Sequence, residues 1–264
     1  MNQLIKKLTE LDLQKNKIAI CRLGQHSFLV KFADKLLAFD PYLSDVSKRL
    51  IKPFINAEDL ADFDLIFGSH DHSDHIDRPQ LAQIAAGKAK FVLPEAVVHS
   101  ITEIPQSKII AMQGDNYFEF EGIGIHALPS AHEFLETDEN GAYFSLGFVV
   151  KIGDLSIYHS GDCCIYEGLL TKLKALAPNI MLLPINGRDA ERLKRGCIGN
   201  MTYQEAVELA GLSGTEIAIP AHYDMFAGNL ENPQNFIDYA NVKFPQLKTQ
   251  ILSPGEIEIF TVKK

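Results

Sequence analysis

The sequence predicts an α/β fold (α+β in the order of its elements) in which two β-sheets pack face to face with helices outside. Short β-like runs dominate residues 18–39 and again 109–157, and helical patterns follow both regions. Because each sheet must bury one face, this pattern favours two packed sheets covered by helices. No low-complexity linker or internal repeat divides residues 1–264, which are therefore expected to form one domain.

The first half is predicted to begin with a short amphipathic helix and to continue mainly as strands. The predicted strands cover 18–23, 28–32, 36–39, 64–68 and 90–93. Asp40 and Pro41 end the third strand, because proline cannot donate a ladder hydrogen bond and favours a turn. Asp77 as N-cap and Pro79 in the first turn predict a helix to about Gly87, and 94–101 is also predicted to be helical.

The second half is predicted to be strand-rich to residue 157, apart from a polar loop at 129–141. Helices and strands then alternate. Thr202 and Glu205 have the spacing of a capping box, which predicts a helix to about Leu212. A strand at 216–219, a helix at 233–242 and final strands within 250–262 complete the predicted order.

Composition narrows the functional classes. The formal net charge of -9 makes a phosphate backbone an unfavourable partner, so nucleic acid is not expected. There is no run of about 18 apolar residues and no apolar leader, so neither membrane insertion nor secretion is expected. Four cysteines without CxxC spacing are typical of reduced thiols in a cytoplasmic protein.

The segment SHDHSDHID at 69–77 is the main signal for function. It lies between a predicted strand and a predicted helix. It carries His70, His72, Asp74 and His75, and imidazole and carboxylate groups are ligands for divalent metals. The first two could hold one ion and the last two a second. The alternative is a solvated polar loop, which would leave several crowded charges without partners.

Three further candidate ligands follow predicted strands, where scaffolds usually present functional groups. His132 follows the strand at 124–128, Asp162 follows 155–158, and His222 follows 216–219. The alternatives are a surface loop histidine, a turn aspartate and a histidine that caps a strand end.

These segments together resemble the metallo-β-lactamase superfamily over nearly the whole chain. The resemblance rests on Asp40 in LLAFDPYL, the 69–77 cluster, His132, Asp162 in YHSGD and His222 in IPAHYD. It implies a four-layer αββα sandwich with a site for two metals at one edge, between the sheets. The implied ligands are His70, His72 and His132 for one metal, Asp74, His75 and His222 for the other, and Asp162 as the bridge.

The resemblance also implies that Asp40 orients a metal-binding histidine through a hydrogen bond. His159 is expected either to support the ligands in this way or simply to pack. His26 and His126 are expected to have structural or supporting roles, and His99 to lie on a surface helix.

Within the superfamily, the cluster, YHSGD, IPAHYDMF and 183–202 resemble the L-ascorbate-6-phosphate lactonase branch. This resemblance implies a small phosphorylated lactone as substrate and a homo-oligomer, and it favours Mn²⁺ as cofactor, while the His and Asp ligands themselves suit Zn²⁺ as well as Mn²⁺. His132 is a departure, because the bacterial lactonase of that branch lacks a histidine there, which leaves the exact substrate open.

We therefore expect a hydrolase that uses a metal-activated hydroxide on L-ascorbate 6-phosphate or a related ester, with Asp74 and His222 as catalytic groups. A polar stretch with several basic residues could bind the phosphate, with a tyrosine beside His222 shaping the pocket. These candidate substrate-binding residues are Asn186, Arg188, Arg192 and Tyr223. The alternatives are a solvated loop for the first three and simple packing for Tyr223.

Three other functions are alternatives to this hypothesis. The first is a phosphodiesterase or nuclease on the same scaffold. The second is a di-iron redox protein, but such relatives typically carry Glu where His72 stands and append a flavin-binding domain. The third is a non-catalytic metal-binding protein, which a full ligand set disfavours.

Overall fold

The computed structural model describes residues 2–263, within which the strands form two seven-stranded sheets. The first sheet has the order β14-β1-β2-β3-β4-β5-β6. Its strands are β1 (Lys17–Gly24), β2 (Ser27–Phe32), β3 (Lys35–Phe39), β4 (Leu65–Phe67), β5 (Lys90–Pro94), β6 (Ile109–Met112) and β14 (Ile257–Thr261). Pairing is antiparallel from β14 to β3 and parallel from β3 to β6.

The second sheet repeats this plan, with an antiparallel and a parallel half. Its order is β13-β12-β11-β10-β9-β8-β7. Its strands are β7 (Tyr117–Phe120), β8 (Ile123–Pro129), β9 (Leu146–Ile152), β10 (Leu155–His159), β11 (Ile180–Pro184), β12 (Ile217–Ala221) and β13 (Lys248–Thr249). Strands β10 to β13 are parallel, whereas β7 to β10 pair antiparallel.

Helices cover the outer face of each sheet. They are α1 (Gln3–Glu10), α2 (Arg78–Ile84), α3 (Glu95–Val98), α4 (Leu169–Leu176), α5 (Ala190–Lys194), α6 (Tyr203–Ser213) and α7 (Pro233–Lys243), with short 3-10 helices at Ala57–Leu60 and Gln106–Lys108. The first three pack on the first sheet, and α4, α6 and α7 pack on the second. No helix within residues 2–263 is long and apolar enough to cross a bilayer.

Side-chain alternation along the strands creates three apolar layers. Ile18 and Ile20 of β1 point into the core between the sheets, whereas Ala19 and Cys21 point to the outer helices. In the second sheet, Ile157 faces the central core, while the next residue, Tyr158, packs under α4 and α6. The predicted two-sheet α/β architecture, with four layers, is confirmed.

Some predicted helix boundaries were wrong. The helix that begins at Arg78 ends at Ile84 rather than near Gly87. Gly87 lies beyond its end, where a Cβ would be 2.2 Å from the Ala61 carbonyl oxygen. The predicted helix at 94–101 is confined to Glu95–Val98. Asp77 occupies the N-cap position, but its carboxylate accepts hydrogen bonds from the backbone of residues 43–44 instead of capping the helix.

The prediction of final strands within 250–262 was also too broad. Only Ile257–Thr261 is a strand there, and it belongs to the first sheet, whereas Lys248–Thr249 closes the second. The segment that connects the second sheet to the first contains Pro254 and Gly255. Gly255 has a φ of +81° and donates its N–H to the Arg22 carbonyl at 2.8 Å, so a residue tolerant of left-handed backbone is favoured there.

Replacing Phe148 by alanine is predicted to destabilise the fold by about 3–5 kcal/mol, because the cavity would lie between the sheets. Phe148 of β9 is fully buried, and its ring centroid lies 5.1 Å from that of Phe67 on β4. Urea unfolding at fixed metal concentration measures the change. Val242→Ala, at a side chain 86% exposed, is the control and should stay within about 0.5 kcal/mol of the parent. Equal effects of the two changes would contradict this packing.

Candidate metal centre

The candidate site lies at the edge where the carboxyl ends of several strands meet. Asp40 follows β3 and His70 follows β4, and these two strands are parallel. Strands β8, β10 and β12 of the second sheet run in a common direction and are followed by His132, Asp162 and His222. Strand direction therefore gathers residues from distant parts of the chain at one edge.

The 69–77 segment folds as a tight turn. The amides of His72 and Ile76 donate to the carbonyls of His70 and His72 at 3.0 and 2.8 Å. Gly68, just before the turn, allows it to close, since a Cβ there would lie 2.7 Å from the Ile76 side chain. The compact turn directs all four candidate ligands of the segment into the site.

The first ligand group consists of His70, His72 and His132. One ring nitrogen from each lies within 4.8 Å of the others. His70 Nε2 is 2.9 Å from His72 Nδ1, and His132 Nε2 is 3.5 Å from Asp162 Oδ2. These are the three residues that the sequence assigned to one metal.

The second ligand group consists of Asp74, His75 and His222, again within 4.8 Å of one another. Asp74 Oδ2 lies 3.7 Å from His75 Nε2 and 3.6 Å from His222 Nε2. Asp162 also reaches this group, with Oδ1 at 3.3 Å from His75 Nε2 and Oδ2 at 3.2 Å from His222 Nε2. Asp162 therefore lies between the two groups, in the place expected for a bridging ligand.

Two buried atoms at the centre of the site support a metal fit. His75 Nε2 and Asp162 Oδ1 lie 3.3 Å apart, yet neither makes a well-directed hydrogen bond to the other or to any other group within residues 2–263. Buried polar atoms are rarely left unsatisfied, and these two face each other among nitrogen and oxygen donors that suit divalent cations. The residues present thus fit bound divalent metal.

The carboxylates of the site favour positive charge on the groups around them. Burial alone would raise the pKa of the Asp162 carboxyl, but His222 and His75 hold it well below its usual range. Burial alone would lower the pKa of His222, but Asp162 and Asp74 raise it to about 9. The carboxylates therefore favour cations around them, a role that metals take over as they displace ligand protons.

In the three-histidine group formed by His70, His72 and His132, burial instead favours the neutral imidazole at two positions. Burial lowers the pKa of His70 well below its ordinary value, with His75 adding to the effect. Burial likewise lowers the pKa of His132, in part offset by Asp162. Both imidazoles are therefore neutral near pH 7, which is the form that binds a metal.

Asp40 orients His75. Its Oδ2 is 2.6 Å from His75 Nδ1, and it also accepts hydrogen bonds from the Ser69 amide and hydroxyl at 2.7 and 2.6 Å. With Nδ1 held in this way, Nε2 of His75 faces the ligand group. Asp40 has a φ of +43°, an uncommon conformation for a non-glycine residue that such contacts must maintain.

Other ligands have their ring orientation set by neighbouring oxygen atoms. His132 Nδ1 lies 3.1 Å from the Gly199 carbonyl, which can only accept, so Nδ1 is the donor and Nε2 is free for a metal. His70 Nδ1 lies 3.0 Å from the Ser69 hydroxyl, which leaves its Nε2 facing the first group.

His159 and His26 form a buried pair of tilted rings near Asp162, with ring centroids 4.0 Å apart. His159 Nε2 donates to the His26 carbonyl at 2.9 Å, while its Nδ1 accepts from the Gly161 amide at 3.3 Å. Burial lowers the pKa of His159 to about 3, in agreement with this neutral form. The ring thus holds the backbone just before Asp162, which is a supporting role.

Sequence reasoning missed Gln25, and it expected only a structural or supporting role for His26. Gln25 Nε2 lies 2.7 Å from Asp74 Oδ2 and 3.0 Å from His222 Nε2, and its carbonyl accepts from the His222 amide. His26 Nδ1 lies 3.7 Å from Asp162 Oδ1. The only sequence signal was the tight turn between β1 and β2, which carries no chemical motif.

The side chains of the candidate substrate-binding residues contact other parts of the protein. Arg188 forms a two-pronged ion pair with Glu205, and Arg192 pairs with Asp189. Asn186 is buried and bonded to two other asparagine side chains, and Tyr223 is buried in the core under the second sheet. None of the four predicted residues lines the pocket that adjoins His70, His72 and His132.

Comparison with known proteins agrees with this geometry. The family model described as a beta-lactamase superfamily domain matches residues 37–223, and the chain belongs to this superfamily in its metallo form. More particularly, it belongs with the UPF0173 metal-dependent hydrolases. It is 31% identical to one from Methanosarcina mazei over 249 residues, covering 90% of this chain and 97% of the relative.

Solved structures show the same fold. The metallo hydrolase Igni18 from Ignicoccus hospitalis aligns with a TM-score of 0.72 at 22% identity, covering 94% of this chain and all of that one. An isothiocyanate hydrolase from Delia radicum gut bacteria aligns with a TM-score of 0.71 at 17% identity, covering 92% and 100%. At these identities the likeness concerns the fold alone.

Asp162→Ala is predicted to reduce bound metal from about two ions per chain to one or none, because this carboxylate contacts both ligand groups. Elemental analysis of protein purified without chelator measures the content. The control is His126→Ala, since His126 lies on β8 beside Tyr117 and outside both ligand groups. Unchanged metal content in Asp162→Ala would contradict the assigned bridge.

Proposed function

We propose that this metal-dependent hydrolase binds two divalent cations, Mn²⁺ or Zn²⁺, and hydrolyses a small carboxylic ester or lactone. The observation that carries the proposal is the convergence of two ligand groups on Asp162 next to an open pocket. Such a site has room for the acyl group of a substrate beside the bound metal ions. The third alternative, a non-catalytic metal-binding protein, is disfavoured because the ligands reach solvent through this pocket.

Bound divalent cations lower the pKa of water and polarise a carbonyl oxygen. The chain's own groups orient the reaction. Asp74 is the proposed proton acceptor, because its side chain keeps 17% of its surface exposed and Gln25 fixes its Oδ2. His222 is proposed to hold Asp74 and Asp162 in register, since its Nε2 lies within 3.6 Å of both carboxylates.

The finer expectation of L-ascorbate 6-phosphate or a similar phosphorylated lactone stays a prediction. Arg188 and Arg192 were among the residues expected to bind its phosphate, but hydrogen bonding to Glu205 raises the pKa of Arg188 and engages its guanidinium, and neither arginine lines the pocket. We therefore place the ester or lactone bond at the centre of the proposal and treat the phosphate as one arm of the test. A homo-oligomer without nucleic-acid or membrane partners is likewise proposed.

His72→Ala is predicted to lower kcat/KM for the best lactone or ester substrate by at least about 100-fold. Loss of a residue that merely orients a ligand costs 10- to 100-fold, and His72 is itself a ligand. A panel of lactones, phosphorylated lactones, esters and a cyclic phosphodiester, assayed with Mn²⁺ or Zn²⁺, measures the effect. His126→Ala serves as control.

Turnover of the cyclic phosphodiester without turnover of any ester or lactone would replace the proposal with a phosphodiesterase. Full activity in a His72→Ala protein shown to lack metal would overturn the proposed metal chemistry.

A further inference from the structure

A pocket of about 350 Å³ adjoins the three-histidine group. His70, His72 and His132 line it, so a molecule bound there touches the candidate metal ligands. Its volume is near the lower end of the range for small-molecule sites, which limits the occupant to a compact substrate or to part of a larger one.

Four of the other lining residues form an apolar wall. Ala96 and Val97 come from α3, Phe144 from the loop before β9, and Ile198 from the segment after α5. Phe144 and Ile198 keep 38% and 43% of their surfaces exposed. Large apolar side chains left open in a concave site gain free energy when an apolar group covers them.

The charges around this wall do not suit an anion. Asp71 and Glu136 are the charged lining residues besides the histidines, and within residues 2–263 no lysine or arginine lines the pocket. Asp71 is paired with Arg78 at 2.6 Å, whereas Glu136 has an exposed carboxylate. A phosphate held against this wall would be repelled by the Glu136 carboxylate, and positive charge would come only from the proposed metal ions and the lining histidines, not from a lysine or arginine.

We propose that this pocket takes a neutral, apolar alkyl or acyl substituent of the substrate, and that Phe144 and Ile198 determine the selectivity. The inference rests on the proposed hydrolysis, because it identifies the substituent beside the bond that is broken. Binding of that substituent can nevertheless be measured without turnover.

The test uses γ-lactones with unbranched alkyl chains of increasing length, together with a phosphorylated lactone. For the metal-loaded protein, kcat/KM should rise about fourfold per added methylene until the pocket is full. Dissociation constants of the matching 2-alkylcyclopentanones, which have no ester bond, should fall in parallel when measured by calorimetry.

Ile198→Lys places a cation at the wall. It should remove the dependence on chain length in both series and improve the phosphorylated lactone relative to the alkyl lactones, with metal content unchanged. Leu212→Lys is the matched control, because Leu212 is 49% exposed on α6 and outside this pocket. It should behave as the parent.

The outcomes separate this inference from the proposed function. If ketone binding follows chain length and responds to Ile198→Lys while no lactone is hydrolysed, the apolar pocket stands and the proposed reaction fails. If lactones are hydrolysed but binding and kcat/KM ignore chain length, or the parent prefers the phosphorylated lactone, the apolar pocket is overturned.

Discussion

The carboxylate of Asp162 lies between two groups of imidazoles, and the arrangement of this whole edge depends on that contact. Its oxygens are within 3.5 Å of His75, His132 and His222, which come from three separate segments. A buried carboxylate in such a place needs positive charge nearby. Although burial alone would lower them, Asp162 and Asp74 raise the pKa values of His75 and His222, so both imidazoles favour the charged form, and divalent cations would supply that charge in the loaded protein.

The two sheets make this contact possible by their strand directions. Asp40 and the 69–77 turn come from the first sheet, while Asp162 and His222 come from the second, so the site closes only when the sheets pack. Left-handed backbone at Asp40 and His222, with φ values of +43° and +59°, marks the places where the chain is bent to aim these side chains. The central core thus determines the spacing of the ligands.

Much of this could be predicted from the sequence, for physical reasons. The 69–77 turn places four ligands within six residues, so local spacing already indicates that they converge. The distant ligands were identifiable because each follows a strand and matches a superfamily motif. Gln25 could not be found, because its amide reaches Asp74 only through the packing of two segments 49 residues apart. The ion pair of Arg188 with Glu205 also depends on tertiary placement and was not visible in the sequence. The basic residues of this polar stretch therefore suggested phosphate binding instead.

X-ray absorption spectroscopy of the Mn²⁺- or Zn²⁺-loaded protein tests the central claim most directly, because it records which atoms surround each metal. The proposed two-metal centre predicts imidazole nitrogen and carboxylate oxygen in the first coordination sphere and a metal–metal distance of about 3.5–4 Å. A coordination sphere without imidazole, or the absence of metal–metal scattering at full occupancy of two ions per chain, would contradict it.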